Sequence, residues 1–344
     1  MSAPVRNTAN IQMAIAKGVF DPHIRLTNMA MAYYQSLENR PAKALFPVLP
    51  VQLSTASYYV FDKDDLLRDD VQRKPQFGKV SPTVVSQHTE TYACQVDQII
   101  LGIDQIMQVD YNRTNAPAII RAENMKAKTI AQKMAIHQDI IFANSFFKSN
   151  VWSEEWTGKS AANDSNKEFI KFSDANSTPI QFFRKRVSDI QEKTGRKPNK
   201  LGLGVNTFNA LIDHPTIMAR IEGQGSSDNP ALANETVLAK LFGVEKVVVF
   251  DSIANTSKLG LEESTSFICD KNGALLVYAP DTPSLEEPSA GYIFTWDMLG
   301  DGNYMPILKG LGEFGTHSEY IEGLIAQDMR KTADDLGCYM SECV

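Results

Sequence analysis

The sequence lacks several features that would assign it to a secreted or membrane class. It has no basic start followed by an apolar segment, as a secretion signal requires, and no run near the roughly 18 apolar residues of a membrane span. Its 4 cysteines are scattered over 344 residues, which predicts free thiols and no disulfide framework. With 43% hydrophobic residues, we expect a soluble cytoplasmic product with one large core or two moderate ones.

Familiar catalytic and metal-binding motifs are also missing. The chain contains no G-x-S-x-G, H-E-x-x-H, P-loop or C-x-x-C pattern, and its 5 histidines are isolated from one another in sequence. The run GLGVNTF begins like a dinucleotide fingerprint, but Thr207 stands where the third glycine is needed. Asp62, Asp64 and Asp65 lack the glycine and glutamate of an EF-hand loop. We therefore expect no catalytic residue, no cofactor and no metal site, hence no enzyme.

Charge is unevenly distributed along the chain. Residues 1–200 hold 26 Lys and Arg against 20 Asp and Glu, whereas residues 201–344 hold 8 against 21, giving net charges of +6 and −13. Asp189 and Glu192 interrupt the densest basic cluster on a predicted helix, which favours a solvated face over a nucleic-acid surface. The cluster comprises Arg184, Lys185, Arg186, Lys193, Arg196, Lys197 and Lys200. We interpret this imbalance as a sign of assembly, in which regions of opposite charge on neighbouring copies lie edge to edge.

The first hundred residues predict an extended start followed by a hairpin. A short helix at Met13–Lys17 and an apolar stretch at Leu26–Leu37 lead into PAKALFPVLP, whose prolines disfavour a helix and a central strand. The β-rich runs VQLSTASYYVF and PTVVSQHTETYACQV then flank the charged stretch DKDDLLRDDVQRKPQFGKV. This order predicts a long β-hairpin whose polar tip is too charged to enter a core.

The longest helical pattern runs from Asn115 to about Phe147. Asn115 can cap the first turn, Pro117 suits a position where no N–H is needed, and apolar residues recur on one face. About 32 residues at 1.5 Å each give a rod of roughly 48 Å. Such a rod indicates a flat, elongated subunit. His137 within it is expected to be a surface or partly buried histidine without a catalytic role.

Further along the chain, short apolar runs alternate with helical ones. EFIKF predicts a strand, and Thr178 and Pro179 begin a helix that Gly195 ends. The strand LGLGV follows, then NALIDHPTIMARIEG, LAKLFGVEKVVVFDSIANTSKLG and GALLVYAPDTPSLEEPSAGYIFTW. In this order the pieces resemble the central part of tailed-bacteriophage major capsid proteins of the Hong Kong 97-type fold. The resemblance spans roughly residues 171–297, about a third of the chain.

The resemblance implies an α+β fold with a long spine helix, an extended β-hairpin and an inserted mixed α/β axial domain. In it, His214 and Pro215 would shape the turn between two helices, and the last 44 residues, with a strand at Tyr320–Ala326, would return beside the spine helix. The implied divisions are an N-terminal arm (1–48), an extended loop (49–100), a peripheral domain (101–176 and 301–344, spine helix 115–147) and an axial domain (177–300).

The implied function is that of a major capsid protein, which self-assembles through individually weak edges into an icosahedral shell around viral DNA. Its partners would be its own copies in pentamers and hexamers, scaffolding, portal and decoration proteins, and non-specifically packaged DNA, but no membrane. It would be assembled in the host cytoplasm and located in the virion. The extended-loop tip would contact the neighbouring subunit through Asp62, Lys63, Asp64, Asp65, Arg68, Asp69, Asp70, Arg73 and Lys74.

Other interpretations stay open at this level. A nanocompartment shell of the same fold would enclose cargo enzymes, a cytoplasmic α/β enzyme would need a pocket lined by titratable groups, and an accessory virion protein would stay monomeric until docked. The charged loop could also be solvated and make no contact, since exposed ion pairs contribute only about 0–1 kcal/mol each.

Overall fold

A computed structural model gives the architecture of the chain. The residues it describes are 40–61, 67–74, 76–80, 82–83, 87–105, 117–222, 234–257, 262, 264–284, 287–298, 300, 302, 304–313 and 315–344. The predicted elements Met13–Lys17 and Leu26–Leu37 lie outside these residues.

Helices and strands of the described residues follow one another in a mixed order. The α-helices are α1 (Pro41–Leu45), α2 (Pro117–Ser145), α3 (Pro179–Thr194), α4 (Val205–Ile212), α5 (Pro215–Glu222) and α6 (Glu235–Phe242). The strands are β1 (Val48–Val51), β2 (Thr55–Phe61), β3 (Gln87–Ala93), β4 (Gln95–Asp104), β5 (Glu154–Lys159), β6 (Glu168–Ile170), β7 (Lys200–Gly204), β8 (Lys246–Phe250), β9 (Ile253–Asn255), β10 (Thr265–Phe267), β11 (Ala274–Val277), β12 (Gly291–Trp296), β13 (Ile307–Leu311), β14 (Ser318–Lys331) and β15 (Gly337–Ser341).

A six-stranded sheet with the order β6-β5-β15-β11-β7-β8 carries helices α3 to α6. Strand β11 runs antiparallel to both β15 and β7, whereas β7 and β8 are parallel. Strand β7 is buried because its short apolar run packs under the helices. The largest core side chains here are Phe183, Leu201, Leu203 and Phe242.

The ends of these helices follow the local signals of the sequence. Pro179 occupies the first turn of α3, and Gly195 ends it in the left-handed conformation at φ 70°. Asn234 caps α6, since its side chain accepts the Val237 N–H at 2.9 Å, and Gly243 ends it at φ 79°. The predictions for both helices are confirmed.

A five-stranded sheet holds the spine helix α2. Its order is β1-β12-β14-β13, and β4 pairs with β14 along ten residues. The predicted helix 115–147 is confirmed as Pro117–Ser145, and its apolar stripe packs on β4, β13 and β14. Burial of Ile130, Met134, Ile321 and Ile325 fixes the helix on the sheet.

A shared aromatic core joins the two sheets. Phe46, after α1, contacts Phe142 of α2 edge to face at 5.2 Å, and Phe147 contacts Phe250 of β8 at 5.0 Å. Residues from both sheets contribute, so the layers are packed into one continuous body. Tyr339 of β15 closes this core against Phe147 at 5.4 Å.

The segment at residues 40–48 corrects the prediction that the prolines of PAKALFPVLP keep it extended. Pro41–Leu45 is a helix, because Pro41 sits at a first-turn position that needs no N–H donor. Leu45 and Phe46 are completely buried, so the segment belongs to the core. Pro50 is tolerated in β1 because that strand lies at the edge of its sheet.

Both sheets contain strands from either side of the boundaries expected at residues 177 and 300. The six-stranded sheet takes β5 and β6 from before that range and β15 from after it, while β12 within the range lies in the five-stranded sheet. The last 44 residues therefore split, with β14 beside the spine helix as expected and β15 in the other sheet. Pairing between strands that lie far apart in the sequence depends on the fit of their buried faces. The sequence of a single strand does not show that fit.

Candidate assembly surfaces

The predicted hairpin is present, and most of the described residues of its connecting loop are exposed. Strands β2 and β3 pair antiparallel from Thr55–Ala93 to Phe61–Gln87. Of the predicted contact residues, Asp62, Lys63, Asp64 and Asp65 lie outside the described residues. The other members occupy a stretch without helix or strand and are exposed, Asp70 in part; they are Arg68, Asp69, Asp70, Arg73 and Lys74.

Apolar side chains on the same loop were missed in the sequence reasoning. Leu67 is 58% exposed, Val71 91% and Phe77 99%. Phe77 also has a positive φ of 62°, which is uncommon for a bulky residue. The sequence signal that could have identified these residues is their apolar character within a strongly charged run. Together these five charged and three apolar residues form what we call the loop surface.

Aromatic stacking fixes the base of the hairpin to the five-stranded sheet. Tyr92 stacks on Phe294 of β12 with ring centres 4.6 Å apart and planes at 8°, and Tyr58 lies 5.7 Å from the same ring. The Tyr58 hydroxyl donates to Glu90 at 2.8 Å. Burial, reinforced by that carboxylate, raises the pKa of Tyr58 far above its usual range. The base of the hairpin is therefore packed on the sheet, whereas most of the described loop residues are exposed.

Hydrogen bonds tie the end of the hairpin to β14 and β12. The Ala93 N–H donates to the Asp328 carboxylate at 2.9 Å, and Arg330 pairs with the same carboxylate at 2.8 Å. Cys94, between β3 and β4, donates its thiol to the Phe294 carbonyl at 3.7 Å. Burial raises the pKa of Cys94 to about 12.

A buried ion pair joins α1 to the spine helix. The Arg40 guanidinium lies 3.2 Å from Asp139, whose side chain is almost fully buried and also accepts the Ala42 N–H at 3.5 Å. Burial raises the pKa of Asp139 to about 6, although Arg40, Ala42 and Ser252 each act to lower it. Desolvation thus outweighs the partners of this carboxylate.

Next to the Arg40–Asp139 ion pair, polar side chains connect the spine helix to the five-stranded sheet. Gln138 donates to Gln327 at 2.6 Å, and Gln327 donates to Asp97 of β4 at 3.2 Å. His137 lies 3.4 Å from the same Asp97 and is about half exposed, as expected for a surface histidine. The chain of contacts fixes the rotation of the helix on the sheet.

The outward face of the β4–β14 pair leaves apolar side chains in solvent. Val96 is 44% exposed, Ile100 51% and Tyr320 41%. Tyr320 pairs across strands with Gly102 and Gly310, so its ring lies on a bare part of the sheet. We call these three side chains the sheet surface.

The expected basic helix face is exposed at Arg184, Lys185, Lys193, Arg196 and Lys197, but one of its members, Arg186, is buried in a charge cluster between β5 and α3. Arg186 is only 5% exposed and stacks 3.9 Å from the Trp156 ring centre, with Asp189 at 2.9 Å. Glu154 accepts Lys193 at 2.7 Å and lies 3.8 Å from Arg186. Burial raises the pKa of Glu154, but hydrogen bonds from Lys193 and Trp156 outweigh it and lower the pKa overall.

His214 occupies a structural position. Its Nε2 lies 2.9 Å from the Ser177 hydroxyl and its Nδ1 2.8 Å from the Thr216 hydroxyl. Both His214 and Ser177 are only 2% exposed, so no substrate can reach this pair in the observed conformation. The contacts hold the turn between α4 and α5, and the prediction for His214 is confirmed.

Clusters of metal ligands and membrane-spanning helices are both absent among the described residues. There, no three His, Cys, Asp or Glu side chains gather as potential metal ligands. None of the described helices is both long and apolar enough to cross a bilayer. All four cysteines are free, as predicted from their spacing.

Comparison with solved structures identifies the architecture. No protein-family model and no curated protein matches the sequence. A phage-related protein from Bordetella bronchiseptica is similar with a TM-score of 0.70 and 18% identity, covering 94% of this chain and 98% of that one. The capsid of cyanophage P-SCSP1u is similar with a TM-score of 0.50 and 8% identity, covering 86% of both chains. The chain has the Hong Kong 97-type capsid fold.

A third solved structure has a similar fold. A virus-like particle from Pyrococcus furiosus is similar with a TM-score of 0.50 and 9% identity, covering 92% of this chain and 98% of that one. Within the capsid fold, α2 is the spine helix and β2–β3 the extended hairpin. The fold class expected from the sequence is confirmed.

Proposed function

We propose that this chain is a major capsid protein that assembles into an icosahedral shell enclosing viral DNA. The capsid fold over nearly the whole chain carries the proposal. Such a protein functions through contacts between the edges of neighbouring copies. The exposed apolar and charged side chains of the loop surface are consistent with this function. The arm (1–48), extended loop (49–100), peripheral (101–176 and 301–344) and axial (177–300) divisions stay predictions of this proposal, with strands of both sheets crossing the boundaries at 177 and 300.

The loop surface is the proposed contact with a neighbouring copy. Val71 and Phe77 are exposed almost completely, and burying such side chains contributes about 1.5–3 kcal/mol each. Arg73 and Lys74 can pair with the acidic C-terminal part of another copy. Many such contacts close a shell because each copy is held at several edges.

Partners and location follow from the same proposal. The chain would bind its own copies in pentamers and hexamers, and scaffolding, portal and decoration proteins would complete the particle. An acidic chain of net charge −7 would enclose packaged DNA without binding it tightly, because tight phosphate binding requires a dense basic surface. The protein would act as a structural component of the virion and not as an enzyme.

Paired substitutions test this function. We expect Phe77→Ser with Val71→Ser to abolish shells in purified recombinant protein while the far-ultraviolet circular dichroism spectrum stays unchanged. Lys148→Glu, also exposed but outside the loop, is the matched control and should assemble normally. Wild-type yield of shells from the double variant would refute the loop contact. Shells isolated from the native host that contain enzymes instead of DNA would favour the nanocompartment function.

A further inference from the structure

A small cavity lies where the start of β5, helix α3 and the chain between β14 and β15 meet. It leaves about 10 Å³ for the centre of a water molecule, which is room for one water and for no larger ligand. Most of the side chains around it are polar or charged. The lining residues are Ser153, Glu154, Arg186, Asp189, Ile190, Lys193, Asp335 and Cys338.

Arg186 brings an unsatisfied hydrogen-bond donor to this cavity. Its side chain is only 5% exposed, and its two terminal nitrogens lie 3.8 Å from Glu154 and 2.9 Å from Asp189. Among the described residues, its Nε is the one buried side-chain nitrogen or oxygen without a hydrogen-bond partner. A buried N–H that bonds to nothing is costly, so such groups bond either to protein or to ordered water.

The contacts of the guanidinium prevent it from turning toward another acceptor. Its central carbon lies 3.9 Å from the centre of the Trp156 ring and 5.6 Å from that of Phe182, while Asp189 holds one terminal nitrogen. Because the guanidinium is planar and rigid, these contacts also fix the direction of the Nε–H bond. The acceptor must therefore be a molecule that comes to Nε.

The charges of the lining determine which acceptor fits. The cavity is surrounded by three carboxylates and two cations, a net charge of −1; they belong to Glu154, Asp189, Asp335, Arg186 and Lys193. The carboxylates would repel chloride or another anion, and a metal cation cannot accept a hydrogen bond. Water is uncharged, accepts the Nε hydrogen, and can donate its own two hydrogens to carboxylate oxygens.

We propose that this cavity is a binding site for a single structural water, which accepts the Arg186 Nε–H and donates to carboxylates of the lining. Glu154 begins β5, Arg186 belongs to α3, and Asp335 lies in the 3₁₀ turn Asp334–Leu336 between β14 and β15. The water therefore joins three distant parts of the chain. They meet where the chain passes from the five-stranded sheet to the six-stranded sheet. The site belongs to the folded subunit and does not depend on assembly into a shell.

A high-resolution crystal structure of the full chain tests this site. We expect one water peak about 2.7–3.2 Å from Arg186 Nε and within the same distance of at least one carboxylate oxygen of the lining. Arg184 on the same helix is the matched control, because its Nε already donates to the Leu241 carbonyl at 2.8 Å. No water should be bound to the Arg184 Nε.

Nuclear magnetic resonance on the full chain with isotopically labelled arginine gives a second measurement in solution. A water of long residence time should show a nuclear Overhauser effect to the Arg186 Nε–H. Arg186→Lys keeps the positive charge but has no Nε, so this signal should be lost in the variant. The Arg184 Nε–H should show no contact with a long-lived water in either protein.

Three outcomes would overturn the assignment. A dry cavity in a crystal structure that resolves other buried waters would show that Nε has no water partner. A direct bond from Nε to a protein oxygen would remove the need for one. An anomalous bromide peak in the cavity after a bromide soak would assign the site to an anion. If Arg186→Lys does not fold, the electron density of the wild-type protein decides.

Discussion

Replacing Asp139 by asparagine should not destabilise the protein at pH 8, even though the substitution removes a buried ion pair with Arg40. Asp139 is almost completely buried, and its pKa is raised from 3.8 to about 6. A shift of about two pKa units corresponds to roughly 3 kcal/mol against the ionised form. This figure already includes the attraction of Arg40.

The sign of the pH dependence follows from where the proton is bound. Between about pH 4 and pH 6 the native state holds a proton on Asp139 that the unfolded state has released. The contribution of this group to stability therefore falls as pH rises through that range and stays low above it. Asp139→Asn imitates the protonated form and should raise the free energy of unfolding at pH 8 by up to about 3 kcal/mol.

The matched variant is Arg40→Met. It leaves the Asp139 carboxylate buried without its counter-ion, which should cost about 3–5 kcal/mol at pH 8 and less at pH 4.5. Urea unfolding at both pH values, with the double variant completing the cycle, measures these differences. A loss of 2 kcal/mol or more in Asp139→Asn at pH 8 would refute the claim that desolvation dominates this pair.

Three further predictions concern the rest of the body. Glu154→Gln should lower the unfolding free energy by about 1–3 kcal/mol at pH 7, and less near pH 3, because a carboxylate whose pKa is lowered stabilises the fold only while ionised; an equal loss at both pH values in urea unfolding would contradict this. Gly337→Ala should lower the melting temperature because a methyl group there overlaps the Trp152 ring, at a cost of about 1–3 kcal/mol, whereas Gly310→Ala, with open space around it, should leave the melting temperature nearly unchanged; the reverse order would show that the packing is misassigned. Thiol labelling at pH 8 should be slow in the folded protein and complete in urea, since burial raises the pKa of Cys338 to about 12 and raises those of Cys269 and Cys343 further; rapid labelling of these three before unfolding would count against the packing.

Local chemistry explains which elements the sequence reveals. The bounds of α3 follow from Pro179 and Gly195, and those of α2 from Pro117 and an uninterrupted apolar stripe. The β2–β3 hairpin follows from two β-rich runs around a charged stretch. Each of these signals lies within a few residues of the element it specifies.

Long-range pairing explains what the sequence leaves undetermined. Strand β15 pairs with β5 and β11, whose paired residues lie 60 or more positions earlier in the chain. Such pairing depends on how two buried faces fit. The charged character of Arg186 concealed its burial on Trp156, because a guanidinium can stack on an aromatic ring when carboxylates neutralise it. The exposure of Phe77 was equally invisible, since apolar residues in a loop can be buried or exposed.

Electron microscopy of the purified recombinant protein, imaged with its size distribution in solution, tests the central claim most directly. If the protein functions by assembly through contacts between the edges of its copies, it should form closed, uniform shells. The Val71→Ser and Phe77→Ser double variant should remain as small particles. Discrete monomers or small oligomers of the wild-type protein under all assembly conditions, including addition of the other particle proteins, would contradict the account.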